Sequence, residues 1–167
     1  MYITLKPWAI EDATTLSAYF NNINIWNNLR DFIPHPYTQE DAEKFIASQS
    51  EIFPTQNFAI VNEGEIVGGI GITLLDDVYK MNVELGYWVA EQFWGQGIAT
   101  IAVGLMTQYV FETFSINRIV AEVFDYNKAS MRVLEKNEYY LECVKRKGIL
   151  KNGVLTDDSV WVKQKVF

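Results

Sequence analysis

A strand, a glycine-containing turn and a long helix follow one another between residues 83 and 111, and this succession constrains the fold more than any other feature. Apolar side chains alternate with other residues from Val83 to Val89, which is the period of a β-strand. From Ile98 onward the apolar positions fall mostly at helical spacing. Gly95 and Gly97 lie between the two patterns. The sequence therefore predicts a strand that turns sharply into the first turn of a helix.

This turn is typical of a site for a pyrophosphate group. Glycine has no Cβ, so the backbone can bend sharply and an anion can approach the amides closely. A helix that begins at such a turn presents unpaired N–H groups and the positive end of its dipole. Because both features attract phosphate oxygens, we expect a nucleotide or coenzyme A at this turn.

The turn alone leaves more than one interpretation open. Gly95-x-Gly97-x-x-Thr100 is close to the dinucleotide fingerprint, with Glu122 or Asp125 as the later acid. A dinucleotide-binding domain normally opens with this motif, whereas here the turn lies in the middle of the chain. A purely structural interpretation, in which the glycines only permit tight packing at a helix N-terminus, is also open.

Composition bounds the class of protein. A chain of 167 residues, 49% hydrophobic, predicts one globular domain spanning residues 1–167. The net charge of −7 disfavours nonspecific nucleic-acid binding and is compatible with a cationic substrate. One cysteine, Cys143, excludes an internal disulfide, and we expect this side chain to be packed in the interior. The single histidine, His35, excludes a metal site with several imidazoles, and no metal is expected.

No targeting or membrane signal is visible in the sequence. No apolar run approaches the length of a membrane span, and the N-terminal residues enter a strand-like pattern without a basic region before them. We therefore expect no membrane partner and a cytoplasmic location.

The order of the elements predicts an α+β or mixed α/β fold with a mixed sheet. Helices are predicted at 11–21, at 38–50 with Thr38 as N-cap, from 98 onward, and at 127–137. Strands are predicted at 2–6, 58–61, 66–75, 81–89, 118–124, 139–145 and 154–166. The asparagine-rich piece 21–28 interrupts regular structure, and Trp26 within it is expected to pack.

A second pattern, Asn127-x-x-Ser130, follows a predicted strand and opens a helix. Asn127 is a good N-cap, and Ser130 and Leu134 share one face of the helix. Plain capping explains these two polar residues, but their combination with the glycine turn points to a common site.

Together these patterns resemble the RimJ/RimL-like branch of the GNAT superfamily of N-acetyltransferases, the ribosomal-protein N-acetyltransferase type. The resemblance covers nearly the whole chain, and the ordered set of motifs is more specific than any one of them. The matching pieces are Pro36-Tyr37-Thr38, Asp41-Ala42, Ile66-Val67-Gly68, Glu84-Leu85-Gly86-Tyr87-Trp88, Gln92-Phe93-Trp94-Gly95-Gln96-Gly97-Ile98-Ala99, Arg118-Ile119, Asn127-x-x-Ser130 and Leu134-Glu135-Lys136.

The resemblance implies a splayed, mixed, mostly antiparallel sheet flanked by helices, with acetyl-CoA in the splay. It implies that the strand backbone at Trp88 and Val89 pairs with the pantetheine, that Asn127 bonds the pantetheine arm, and that Ser130 lies near the thioester sulfur. The pyrophosphate loop it implies consists of Gln92, Gly95, Gln96, Gly97, Ile98, Ala99 and Thr100.

The implied reaction is acetyl transfer to a primary amine by direct attack on the thioester. Most amines are protonated at neutral pH, so a base is useful, and Glu84 is the first candidate. Many members of the superfamily place a tyrosine on the helix to protonate the thiolate, but Leu134 stands at that position here. Ser130 is therefore the expected hydroxyl donor.

Several alternatives remain open for the activity. The fold could serve as a non-catalytic acyl-CoA-binding module, and a dinucleotide-dependent oxidoreductase is the other enzyme hypothesis. The acceptor could be a protein N-terminus or a small amine, and a homodimer is a base-rate expectation only.

Other residues carry weaker expectations. Trp26, Phe32 and Tyr37 could wall an acceptor site, or simply pack. Asp157 and Asp158 could bind a cationic acceptor or order the final hairpin. The superfamily usually has a glycine after the helix where this chain has Glu138, so either Asn137 or Glu138 must take the left-handed conformation.

Overall fold

The computed structural model describes residues 1–166. Its strands are β1 (Ile3–Pro7), β2 (Asn57–Asn62), β3 (Glu65–Leu74), β4 (Asn82–Val89), β5 (Arg118–Phe124), β6 (Tyr140–Lys151) and β7 (Val154–Gln164). Its helices are α1 (Ala13–Phe20), α2 (Ile23–Trp26), α3 (Gln39–Ser50), α4 (Ile98–Thr113) and α5 (Lys128–Lys136). Every predicted strand and helix is present. Within residues 1–166, no helix has both the length and the apolar character needed to cross a membrane.

The seven strands form one sheet in the order β1-β2-β3-β4-β5-β7-β6. Neighbouring strands are antiparallel except β4 and β5, which are parallel. The β4–β5 pairing covers only Asn82–Glu84 against Arg118–Val120. Beyond Glu84 the two strands have no further paired residues within 1–166, so the sheet splits between them. The predicted mixed, mostly antiparallel and splayed sheet is confirmed.

The two faces of the sheet are covered by different helices. On one face, α4 packs over the centre of the sheet, and its buried side chains such as Val103 and Met106 join those of Val83 and Ile119 in the main core. On the other face, α1 and α3 form a smaller core with Leu16, Ala42 and Ile46, and the ring of Trp88 packs against it. Because side chains alternate along a strand, β4 contributes to both cores.

The prediction that residues 21–28 interrupt regular structure is wrong, because a short helix, α2, forms there. The side chain of Asn22 accepts hydrogen bonds from the N–H groups of Asn24 (2.8 Å) and Ile25 (3.3 Å). The same asparagines that weaken a helix interior therefore start this one. Thr38 caps α3 as predicted, with its Oγ1 accepting from the N–H of Asp41.

The structure corrects the expectation for Cys143 and decides which residue after α5 is left-handed. Cys143 is exposed rather than packed, because β6 lies at the edge of the sheet. After α5 it is Glu138 that adopts the left-handed conformation, with φ of 61°. Asn137 keeps a negative φ, and its side-chain amide donates to the carbonyls of Thr100 and Val133. The exposed side chain of Glu138 forms an ion pair with Lys163 (2.8 Å).

Candidate active site

The glycine turn before α4 has a backbone that other residues rarely adopt. Gly95 has φ of 77° and Gly97 has φ of 81°, and α4 begins directly afterwards at Ile98. A Cβ at either glycine would meet no atom within 4 Å. These glycines are therefore required by the path of the chain and not by tight packing, and the turn is open on its outer side.

The first turn of α4 presents a row of free amides. The N–H of Ile101 bonds to the carbonyl of Gly97 at 3.3 Å. The N–H groups before it, from Gln96 to Thr100, have no acceptor among residues 1–166. Since they converge at the positive end of a helix of 16 residues, they can bind an anion such as pyrophosphate.

The base of this loop is held by a carboxylate clamp that the sequence patterns did not indicate. Glu91 accepts hydrogen bonds from the side-chain amides of Asn22 (2.7 Å) and Asn24 (3.0 Å). These bonds, above all the one from Asn22, lower the pKa of Glu91. The clamp fixes the entry of the glycine loop against α2.

The split between β4 and β5 leaves backbone groups of β4 exposed to the gap. The N–H of Ala90 bonds to Val67 on the β3 side, so by the alternation of a strand the peptide groups of Val89 point toward the gap. The carbonyl of Val89 accepts from the indole N–H of Trp94 at 2.7 Å. The N–H of Val89 is thus directed into the gap, while the peptide groups of Trp88 are directed toward β3.

A pair of hydroxyl groups spans the gap from the α5 side. Asn127 caps α5 by accepting from the N–H of Ser130 at 3.2 Å. The Oγ of Ser130 lies 2.7 Å from the hydroxyl oxygen of Tyr87, which also donates to the carbonyl of Ser130 at 3.2 Å. Burial raises the pKa of Tyr87, so this phenol stays protonated. Leu134 is fully buried in the core, as its apolar character requires.

Tyr87 belongs to one of the matching motifs, but the sequence predicted no role for its hydroxyl group. Its strand position, on the same face as Val83 and Val89, indicated a core side chain. Only the splay of the sheet lets its hydroxyl reach Ser130.

A cleft of about 980 Å³ lies on the opposite face of the sheet, between α3, the segment 28–34 and the centre of the sheet. Of the three aromatic residues suggested as walls, Phe32 and Tyr37 line the cleft. Trp26 instead packs beneath Lys151, whose Nζ lies 3.3 Å from the ring centroid. Gly86 lines the cleft too, and a Cβ there would meet no atom within 4 Å.

The floor of this cleft carries three carboxylates from three strands: Glu84, Glu122 and Asp158. A guanidinium nitrogen of Arg30 lies 3.2 Å from Glu84 Oε2 and 3.5 Å from Glu122 Oε2. The Nζ of Lys145 pairs with Glu122 and lies 3.6 Å from Asp158 Oδ2. Glu84 is the last residue of β4 that pairs with β5, so the cluster lies where the gap between the two strands begins.

Asp158 differs from the other two carboxylates in its burial. It is 3% exposed, and its Oδ1 has no hydrogen-bond partner within residues 1–166. Burial, and after it the charge of Glu122, raise the pKa of Asp158 to about 6. Asp157, by contrast, turns outward and pairs with Arg146 at 2.7 Å, so it orders the hairpin of β6 and β7.

The predicted site residues thus fall into two groups joined by the gap. The glycine loop, Val89, Asn127 and Ser130 border it at one side, and Glu84 borders the cleft at the other. Glu122, the later acid of the dinucleotide interpretation, is paired with Arg30 and Lys145 in the cleft. The geometry suits a donor and an acceptor that approach each other through a split sheet.

Comparison with known proteins agrees with this geometry. A family model described as "Acetyltransferase (GNAT) domain" matches residues 3–139. The Bacillus subtilis protein named "Probable N-acetyltransferase YjcK" is 28% identical, over 95% of this chain and 91% of its own length. The ribosomal-protein-serine acetyltransferase of Escherichia coli is 29% identical, over 61% of this chain and 54% of its own length.

A solved structure has the same fold. The microcin C7 self-immunity acetyltransferase MccE, in complex with acetyl-CoA and AMP, superposes with a TM-score of 0.83 and is 25% identical. The superposition covers 98% of this chain and 93% of that one. The family predicted from the motifs and the enzyme class predicted with it are both confirmed: this chain belongs to the GNAT acetyltransferase family.

Proposed function

We propose that this protein transfers an acetyl group from acetyl-CoA to a primary amine by direct attack of the amine on the thioester. The observation that carries the proposal is the β4–β5 split, with a free-amide helix terminus at one side and carboxylates at the other. Acetyl-CoA supplies the activated acetyl group. The MccE structure, which holds acetyl-CoA on the same fold, supports this choice of donor.

The residues around the glycine turn would hold the donor. The amides of Gln96, Gly97, Ile98, Ala99 and Thr100, with the loop residues Gln92 and Gly95, suit the pyrophosphate. The strand backbone at Trp88 and Val89 was the predicted partner of the pantetheine. The direction of its peptide groups favours Val89, whose N–H can also stabilise negative charge developing on the carbonyl oxygen. The Oδ1 of Asn127 accepts from the N–H of Ser130, which leaves its side-chain N–H₂ group to donate to the pantetheine arm, as the resemblance implies.

Two side chains would handle the protons. Glu84 accepts the proton of the incoming ammonium, either directly or through water, and Ser130 donates its hydroxyl hydrogen to the departing sulfur. The Tyr87 hydroxyl, which donates to the carbonyl of Ser130, orients the Ser130 hydroxyl by accepting from it. The proton that Ser130 gives to the sulfur is balanced by the proton that the attacking nitrogen loses as the amide forms, so Tyr87 stays protonated throughout. Asp158 is a second candidate base, because its raised pKa of about 6 lies close to neutral pH.

The acceptor is a primary amine, either a protein N-terminus or a small molecule. The relationship to a ribosomal-protein-serine acetyltransferase favours a protein N-terminus. The cleft of about 980 Å³ is large enough for either class.

Two measurements on one set of variants distinguish donor binding from turnover: the unfolding midpoint reports binding, and release of the CoA thiol reports turnover. At a hundredfold its dissociation constant, a ligand adds about 2.7 kcal/mol to the free energy of unfolding, so acetyl-CoA and CoA should raise the unfolding midpoint by roughly 5–10 °C. We expect Ser130→Ala to keep this shift and to lower amine-dependent release of the CoA thiol about 100-fold. Glu84→Gln should do the same, whereas Ser50→Ala and Glu112→Gln, on exposed helix surfaces, should match the wild type.

Each alternative gives a different result in these assays. A midpoint shift with NADH or NADPH alone would contradict acetyl transfer and support an oxidoreductase. Acetyl-CoA binding without thiol release for any amine would support a non-catalytic acyl-CoA-binding module. Unchanged turnover in both Ser130→Ala and Glu84→Gln would show that these catalytic assignments are wrong.

A further inference from the structure

The carboxylate cluster of the cleft contains an acceptor position that the protein does not fill. Asp158 lines the cleft, and its buried Oδ1 has no donor among residues 1–166. A buried polar oxygen without a partner costs roughly 1–3 kcal/mol, and more when it is charged. An N–H donor that enters the cleft would remove this cost. The geometry therefore favours a cation with hydrogen-bonding hydrogens, which an ammonium group is.

The two cations that neutralise the cluster differ in the element that carries them and in the carboxylates that they contact. Lys145 belongs to the paired strand β6 and faces Asp158 across the β6–β7 register. Arg30 belongs to the segment between α2 and α3, and its side chain is 53% exposed. An exposed ion pair of this kind contributes only about 0–1 kcal/mol. Arg30 can therefore leave the carboxylates at small cost. Lys145, whose side chain is 47% exposed, also contacts the buried carboxylate of Asp158, so its departure would leave that buried group without a cation.

The segment that carries Arg30 is held by contacts with the β6–β7 hairpin. The Nζ of Lys151, which is almost fully buried, pairs with Asp31 at 2.7 Å. The side-chain amide of Asn152 donates to Asn27 at 2.9 Å. With both flanks of the residue tied to the β6–β7 hairpin, the guanidinium can swing without movement of the segment. Arg30 thus resembles a tethered cation at the mouth of an acidic pocket.

We propose that Glu84, Glu122 and Asp158 form the subsite for the ammonium group of the acceptor, and that Arg30 is a resident cation which the acceptor displaces. The proposal rests on the proposed function and specifies how its acceptor is recognised. Acetylation turns the ammonium into a neutral amide, which no longer competes with Arg30. The return of the guanidinium to the carboxylates then favours release of the product.

The test uses n-butylammonium as a probe of the subsite and N-butylacetamide as its neutral counterpart. Each is titrated at low ionic strength and neutral pH into the ¹⁵N-labelled protein, and dissociation constants are taken from amide shifts in the cleft. Arg30→Met keeps an apolar stem without the charge. Arg146→Met is the matched control, because Arg146 forms its ion pair on the outer side of the hairpin.

We expect Arg30→Met to bind n-butylammonium about two- to fivefold more tightly than the wild type, in line with the strength of an exposed pair. Glu122→Gln should bind n-butylammonium about tenfold more weakly than the wild type, and Arg146→Met should bind it with unchanged affinity. The neutral N-butylacetamide should bind Arg30→Met and the wild type with equal affinity. Equal affinity of the wild type and Arg30→Met for n-butylammonium, or absence of saturable shifts in the cleft of Arg30→Met, would overturn the proposal.

Failure of the subsite is distinguishable from failure of the proposed function. The unfolding shift with acetyl-CoA is measured on the same samples, and it does not depend on the carboxylate cluster. A retained acetyl-CoA shift with no ammonium response would contradict the subsite alone. An ammonium response without an acetyl-CoA shift would support a cation site while contradicting acetyl transfer.

Discussion

The two sides of the split sheet are built on different principles. On the α4 side, the loop from Gln92 to Thr100 is one continuous stretch of chain, and the groups that it leaves free are backbone amides. On the α3 side, the cleft draws its charged groups from β4, β5, β6, β7, α3 and the segment after α2. The first region is local in sequence and the second is assembled by the fold.

This difference separates what the two regions can do. A backbone cradle binds whatever fits its geometry, and it is insensitive to side-chain replacement except where the φ angle demands glycine. A cluster of side chains can be changed one charge at a time while the sheet stays intact. We therefore expect the α4 side, which is the proposed donor region, to tolerate little change in its glycines. The α3 side, which is the proposed acceptor region, should be adjustable through its charges.

The largest effect is expected from Gly97→Val, which tests whether the donor region depends on its backbone. The φ of 81° at Gly97 is unfavourable for a β-branched residue, so the amides of the first turn of α4 must shift. We expect acetyl-CoA affinity to fall about 100-fold in calorimetric titration.

The hairpin turn supplies the control for this change. Gly153 has φ of 75° and is also free of neighbours around its missing Cβ, but it lies between β6 and β7. Gly97→Val and Gly153→Val should each lower the free energy of unfolding by roughly 1–3 kcal/mol. Gly153→Val, however, should leave acetyl-CoA affinity unchanged. Equal loss of affinity in both variants would mean that global strain, and not the cradle, causes the effect.

A smaller effect is expected from Gly86→Leu, which addresses the passage between the two regions. The missing Cβ of Gly86 points into open space in the cleft beside the split, so a leucine can be accommodated without a clash. Its side chain would occupy volume that the amine needs. We expect the kcat/KM for the amine to fall about 30-fold, while the unfolding midpoint stays within a few degrees of the wild type. The kcat/KM of Gly86→Ala should lie between those of the wild type and Gly86→Leu. Unchanged turnover in Gly86→Leu would contradict the proposal that the amine passes beside Gly86.

The smallest effect concerns the charge of Asp158. Its pKa is raised from the ordinary value of 3.8 to about 6, so the folded state binds this proton more tightly than the unfolded chain does. The contribution of this group to the free energy of unfolding therefore falls as the pH rises from about 4 to about 6. Asp158→Asn removes the charge and should stabilise the protein by roughly 1–2 kcal/mol above pH 6.

The pH dependence gives this prediction a built-in control. Below about pH 3 the carboxyl is mostly protonated in both states, so the stability difference between Asp158→Asn and the wild type should vanish. Urea unfolding at pH 3 and at pH 7.5 measures this difference. A stabilisation of equal size at both pH values, or a destabilisation at pH 7.5, would show that burial does not disfavour the charged form of Asp158.

The donor region was predictable from the sequence because its signals are local. The strand period up to Val89, the turn at Gly97 and the cap at Asn127 each depend on a few neighbouring residues, and the structure contains all three elements. Leu134 could likewise be excluded as a proton donor from its identity alone.

The acceptor region was not predictable in the same way. Asp158 and Arg30 are far apart in sequence, and nothing near either residue indicates that they meet the same carboxylate cluster. Glu84 was expected near the site from family resemblance, but its pairing with Arg30 was not. Strand alternation places Tyr87 on the same face as Val83 and Val89, but it says nothing about where a sheet splits. Long-range register and splay decide these contacts, and no local pattern encodes them.

We propose that the donor and the acceptor occupy separate regions joined by the β4–β5 split. Calorimetric titration of acetyl-CoA into the wild type, Gly97→Val and Gly86→Leu in one series tests this separation. We expect about a 100-fold loss of affinity for Gly97→Val and a value within about threefold of the wild type for Gly86→Leu. A parallel loss in both variants, or no loss in Gly97→Val, would contradict it.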